Sequence, residues 1–202
     1  MGNEWQTRQT LLMRAKNQDD EAAWEEFVRY YREFFHMVLN QMGLLSADAD
    51  DLVQEILIQI WKSLPNHIYD QDRAQFRTWL SRLIRNQVLN HVRTTKRRDR
   101  KHAAVAEQGE EDHIAVVTEP EVEQIIRKEW EIYIVQLAIE NIKPLFSERS
   151  IKAFSMSIDG YDTAHIAEYL GVKPNSVVKL KSRVKARLVK EIHRLRNELE
   201  AL

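Results

Sequence analysis

The chain contains no cysteine in 202 residues, so neither a disulfide framework nor a thiolate zinc site is available, and nothing points to an oxidising compartment. Glycine and proline are scarce, five and four in all, and they fall between stretches of helical periodicity. Strand signals are nearly absent, because the β-branched residues recur at 3.6 spacing, which predicts an all-α fold. The longest apolar runs fall far short of a membrane span, and the polar start MGNEWQTRQ lacks the apolar core of a signal peptide. A myristoylation reading of Gly2 fails because Gln6 stands where Ser or Thr is needed. A soluble, cytoplasmic protein without membrane insertion is therefore expected. Neither a phosphate-binding glycine loop nor a nucleophile elbow appears, so the expectation is a protein that is not an enzyme and uses no cofactor or metal.

What the chain does have is charge, unevenly distributed. The formal net charge is only -1, yet residues 1–72 carry six Lys/Arg against thirteen Asp/Glu, residues 73–102 ten against one, residues 103–148 three against eleven, and residues 149–202 eleven against six. Two basic blocks alternate with two acidic ones, so two separate polyanion surfaces are hidden inside a near-neutral total.

The stretch 48–101 sets an acidic helix beside a basic one. In DADDLVQEILIQIWKSL, Val53, Ile56, Leu57, Ile60 and Leu64 recur at helical spacing and leave Asp51, Gln54, Glu55 and Gln59 on exposed sides, before Pro65 stops the helix. Asp72 and Gln75 are spaced as a capping box for the next helix, which runs Phe76, Trp79, Leu80, Leu83, Ile84, Val88 and Val92 along one face and cations along the other. Such a helix suits a polyanion.

Upstream, a short helix over 8–17 precedes Asp19 and Asp20, either of which can cap a long helix carrying Trp24, Phe27, Val28, Tyr31, Phe34, Phe35, Val38 and Met42, ended by Gly43. The aromatic stripe is most simply core packing, and the same holds for Trp79, which lies on the stripe of Phe76 and Leu83. Residues 1–98 are thus expected to form one helical bundle. Residues 99–118 lose periodicity and read as a mobile linker. Residues 119–202 form a second domain. There Thr118 and Glu121 are spaced to open a helix with Val122, Ile126, Trp130, Tyr133 and Leu137 inside, and Ser147 and Gly160 bracket a helix bearing Ile151, Phe154 and Ile158. The segment YDTAHIAEYLGVKPNSVVKLKSRVKARLVKEI has the layout of a helix-turn-helix. Asp162 caps a short helix, Gly171 permits the turn, and Pro174 opens a second helix with Asn175, Val178, Lys179, Ser182 and Arg183 nearer the outside. Small polar and cationic groups near a helix N-terminus suit base edges and phosphates in a major groove.

The run DDLVQEILIQIWKSL, the run F-x-T-W-L-x-R-L-I-R-N over 76–86 with its basic tail, and the C-terminal helix-turn-helix, in that order, resemble bacterial sigma factors of the sigma-seventy superfamily, and the two-domain size resembles the extracytoplasmic-function group. The resemblance implies that the first domain is like region two and the second like region four. It implies docking on the polymerase β′ clamp through Asp51, Gln54, Glu55, Ile58 and Trp61. It further implies that the helix after Phe76 opens the minus-ten element, with Asn86 in a pocket for an unstacked base and Arg82, Arg85, Arg93, Lys96, Arg97 and Arg98 on phosphates. Asn175, Ser176, Lys179, Ser182 and Arg183 are the matching candidates for the minus-thirty-five element. Expected partners are core RNA polymerase, promoter DNA and an anti-sigma protein. Ser81 stands where family members often carry an aromatic residue, Lys173 where Ser or Thr often caps the recognition helix, and Val178 and Leu180 where cations are common. Neither promoter sequence is therefore implied. The competing reading is a stand-alone helix-turn-helix regulator, which leaves the basic helix of the first domain without a role.

Overall fold

A computed structural model describes residues 10–44, 46–66, 73–103 and 119–200, and these are helical throughout, apart from turns. The helices are α1 (Leu11–Ala15), α2 (Glu21–Gln41), α3 (Ser46–Ser63), α4 (Arg73–Ala103), α5 (Glu119–Ile142), α6 (Glu148–Ile158), α7 (Thr163–Leu170) and α8 (Pro174–Glu200). The chain divides into two compact units, Met1–Glu131 with Glu198–Leu202, and Ile132–Asn197. Their borders fall inside α5 and α8.

In the first unit, Thr10 caps α1 by accepting from the Met13 N–H, and Asp20 caps α2 by accepting from the Ala23 N–H at 2.9 Å. Arg14 then reaches both Asp20 (3.3 Å) and Glu26 (3.4 Å), which ties α1 to the start of α2. The Ala23 N–H and the Arg14 guanidinium hold the Asp20 carboxyl below the usual carboxylate range. At the far end of α2, Gly43 adopts φ +80°, a left-handed conformation that costs other residues 1–2 kcal/mol, roughly, and this lets the Leu44 N–H return to the Leu39 carbonyl at 3.1 Å.

The aromatic stripe of α2 is core, as its spacing predicts. Phe27, Tyr31, Phe34 and Phe35 are buried, with Tyr31 stacked on Phe27 at 4.2 Å between centroids. Burial of each such ring contributes about 1.5–3 kcal/mol. Helix α2 packs on α1 and α3, and α3 on α4. From α3 come Leu52, Val53, Ile56 and Ile60, and from α4 Phe76, Leu80, Ile84 and Val88, all buried. Trp79 is half-buried and tilted against Phe76 at 5.5 Å. Residues 99–103, which lack apolar periodicity, nonetheless continue α4, because Arg, Lys and Ala sustain a helix without an inward face. Asp72 and Thr118 lie outside the described residues.

The second unit has its own core, formed by Ala153 and Met156 of α6, Ile166 and Ala167 of α7, and Val177 of α8, with Leu170, Val172 and Leu180 packed around them. Ser147 caps α6 by accepting from the Ser150 N–H, and the Tyr161 N–H closes its other end on the Met156 carbonyl.

Candidate nucleic-acid interface

Each unit presents one candidate surface for nucleic acid, and the first presents an acidic surface as well. On α3 the buried stripe turns Asp51, Gln54, Glu55 and Ile58 outward. Ile58 is 53% exposed, an aliphatic side chain in water amid acids and amides. Trp61, one turn on, is half-buried: its ring meets Trp24 edge-on at 4.7 Å, and its carbonyl accepts from Gln18 Nε2 at 3.1 Å. An exposed apolar anchor ringed by polar groups is the composition of a protein–protein joint.

On α4, Arg82, Asn86 and Arg93 are exposed. At 100° per residue they fall within about 40° of one another around the helix, so they form one stripe. Arg85 lies to the side of that stripe and is half-buried, with Nη1 3.9 Å from Glu123 Oε1. Lys96, Arg97 and Arg98 belong to the helical run of α4, and their side chains lie outside the described residues.

In the second unit, Asp162 caps α7 by accepting from the His165 N–H at 2.8 Å, and Gly171 closes it at φ +62°, with the Val172 N–H returning to the Ala167 carbonyl at 2.9 Å. That left-handed residue redirects the chain so that α8 starts three residues later at Pro174, whose missing N–H costs nothing at a first helical position. Asn175, Lys179, Ser182 and Arg183 are exposed on one side of the first turns of α8, and Ser176 is half-buried beside them. Val178 is also exposed, at 50%. Lys173 supplies its carbonyl to the Ser176 N–H at 2.8 Å.

A buried charge in α8 is absent from the sequence reading. Glu191 is 5% exposed and accepts from Arg194 (2.7 and 3.0 Å) and from Asn141 Nδ2 (3.0 Å). The Arg194 hydrogen bonds, helped by Asn141 and the nearby Arg187, hold its carboxyl below the usual glutamate range against the opposing effect of burial. Its position on the Val184, Leu188, Leu195 stripe is the available sequence signal. Glu33 and His36 of α2 stand at Glu-x-x-His spacing, against the expectation that the chain offers no such pair. His36 lies 3.4 Å from Asp50, and among the described residues no group of three or more His, Cys, Asp or Glu could hold a metal ion. Nor, among them, is any helix long and apolar enough to cross a membrane.

Residues 27–98, which contain most of α2, all of α3 and most of α4, match the family described as Sigma-70 region 2. The chain is 30% identical over 162 residues, 78% of its length, to the ECF RNA polymerase sigma factor SigE of Mycolicibacterium smegmatis. It is 28% identical over 83 residues, 41% of its length, to the ECF RNA polymerase sigma factor RpoE of Cereibacter sphaeroides. The matches cover 58% and 45% of those proteins, so the chain spans about half the length of the curated relatives it matches. Residues 27–98 thus carry a Sigma-70 region 2 domain, and the chain is similar, beyond that domain as well, to ECF sigma factors.

Proposed function

We propose that this protein is a sigma factor that binds core RNA polymerase, directs it to specific promoters and assists their opening. The observation that carries the reading is the pairing, inside the segment that matches region 2, of an exposed acidic, partly apolar stripe on α3 with a cationic stripe on α4. A DNA-binding protein acting alone needs the second and has no use for the first. In this reading Asp51, Gln54, Glu55, Ile58 and Trp61 meet the polymerase. Arg82, Arg85, Asn86, Arg93 and the basic run Lys96, Arg97 and Arg98 hold the opened minus-ten strand. Asn175, Ser176, Lys179, Ser182 and Arg183 read the upstream duplex.

Cations along a helix neutralise successive phosphates, while an exposed amide can hydrogen-bond the edge of an unstacked base. Residues 1–98 act as region two, 119–202 as region four, and 99–118 join them. The protein works where its polymerase works, in the cytoplasm, and an anti-sigma partner would act by covering one of these surfaces. Purified protein added to core polymerase on supercoiled genomic template should start transcripts at discrete sites. Initiation equal to that of core alone would sink the proposal, and binding of duplex without any affinity for core would favour a stand-alone regulator.

A further inference from the structure

The first half of α5 is seated in the first unit by an apolar stripe and a charge pair. Val122, Ile126 and Trp130 recur every four residues and are all buried. Trp130 stacks on Tyr31 at 5.5 Å and meets Phe34 edge-on at 4.9 Å, while its indole N–H donates to the Glu200 carboxylate at 2.8 Å. The Tyr31 hydroxyl donates to the Leu199 carbonyl. One residue past Val122, the Glu123 carboxylate faces Arg85 at 3.9 Å. The Arg85 side chain is only 19% exposed, although its neighbours Arg82 and Arg93 stand in solvent. Beside the seat, a solvent-open cleft of about 310 Å³ lies among Tyr31, Phe76, Ser81, Glu123, Ile126 and Trp130.

From this arrangement we propose that the acidic start of α5, through Glu123, is an intramolecular competitor for nucleic-acid phosphate at Arg85. The inference rests on the reading of α4 as a nucleic-acid surface. A carboxylate and a phosphate are alternative anionic acceptors for one guanidinium, and a guanidinium this enclosed cannot serve both fully. The internal acceptor forms its pair without loss of translational freedom, so an incoming strand must displace it. The free protein therefore binds nucleic acid more weakly than the charge of α4 alone would give, and binding strengthens when the first half of α5 leaves its seat.

The test uses the full chain and a short single-stranded DNA, with affinity read by fluorescence anisotropy across a salt series. Glu123→Gln, at a side chain 46% exposed, should raise affinity about two- to five-fold, the range spanned by one exposed or half-buried ion pair. It should also steepen the salt slope by about 0.7, one further phosphate contact on a single strand. In an Arg85→Gln background the gain should vanish. Glu140→Gln, which removes an equal charge from an exposed position, should not reproduce it. No gain from Glu123→Gln, a gain that persists without Arg85, or an equal gain from Glu140→Gln would each overturn the competitor role. Should Arg82→Gln, Arg85→Gln and Arg93→Gln together leave wild-type affinity unchanged, the reading of α4 fails first and the competitor role with it.

Discussion

The cations of α4 and those of α8 are displayed differently. On α4, Arg82, Asn86 and Arg93 lie along one side of a helix of 31 residues, spread over about three turns. On α8, Asn175, Lys179, Ser182 and Arg183 crowd into the first turns, just past the left-handed Gly171 that redirects the chain. A long stripe matches the repeat of a strand running beside it, whereas a helix start matches the width of a groove entered end-on. The contrast extends to the protein side, since α3, packed on α4, presents an acidic, partly apolar face. Charge of one sign thus carries two different meanings, set by the helix that bears it.

The largest effect is expected where the comparison is most one-sided, at that acidic face. Asp51→Lys together with Glu55→Lys should weaken assembly with core polymerase by a few kcal/mol, because like charges or unpaired groups at a joint are penalised to that extent. Both residues are exposed, so circular dichroism should be unchanged. Unaltered affinity for core with a normal spectrum would detach docking from α3.

A smaller effect is expected at α8. Lys179→Ala with Arg183→Ala should weaken duplex binding roughly ten-fold at moderate salt and lower the salt slope by about two if both touch phosphate, while leaving single-strand binding by the first unit intact. Equal losses on duplex and single strand would blur the division between the surfaces.

The smallest concerns pH. The folded Glu191 carboxyl titrates below its ordinary value, so its stabilising contribution is complete above the ordinary glutamate range and is lost as pH falls through the lowered folded value. Glu191→Gln should accordingly flatten the acid side of the stability profile, and a variant as acid-sensitive as wild type would show that the Arg194 and Asn141 contacts contribute little.

Much of this was legible in the residues. The core faces of α2, α3 and α4 follow from apolar periodicity alone, and Asp20, Ser147, Asp162, Gly43 and Gly171 act as the caps and turns their chemistry predicts. The outward positions of Asp51, Gln54, Glu55, Arg82, Asn86, Lys179 and Arg183 follow from the same periodicity, since a helix that buries one face must expose the other. Two features were not legible. Periodicity marks Val122, Ile126 and Trp130 as inward but cannot say against what, and the contacts of Trp130 with Tyr31 and Phe34 join residues nearly a hundred positions apart. Arg85 looked like one more exposed cation because helix phase alone says nothing of a partner arriving from elsewhere in the chain.

The most direct measurement is permanganate reactivity of unpaired thymines, taken beside duplex binding on a promoter located by sequencing RNA 5′ ends. Asn86→Ala should leave duplex binding nearly intact and reduce strand opening, whereas Lys179→Ala with Arg183→Ala should reduce duplex binding and open whatever promoter remains bound. Loss of duplex binding from Asn86→Ala, with normal opening by the double variant at limiting protein, would contradict the assignment of melting to α4 and upstream recognition to α8.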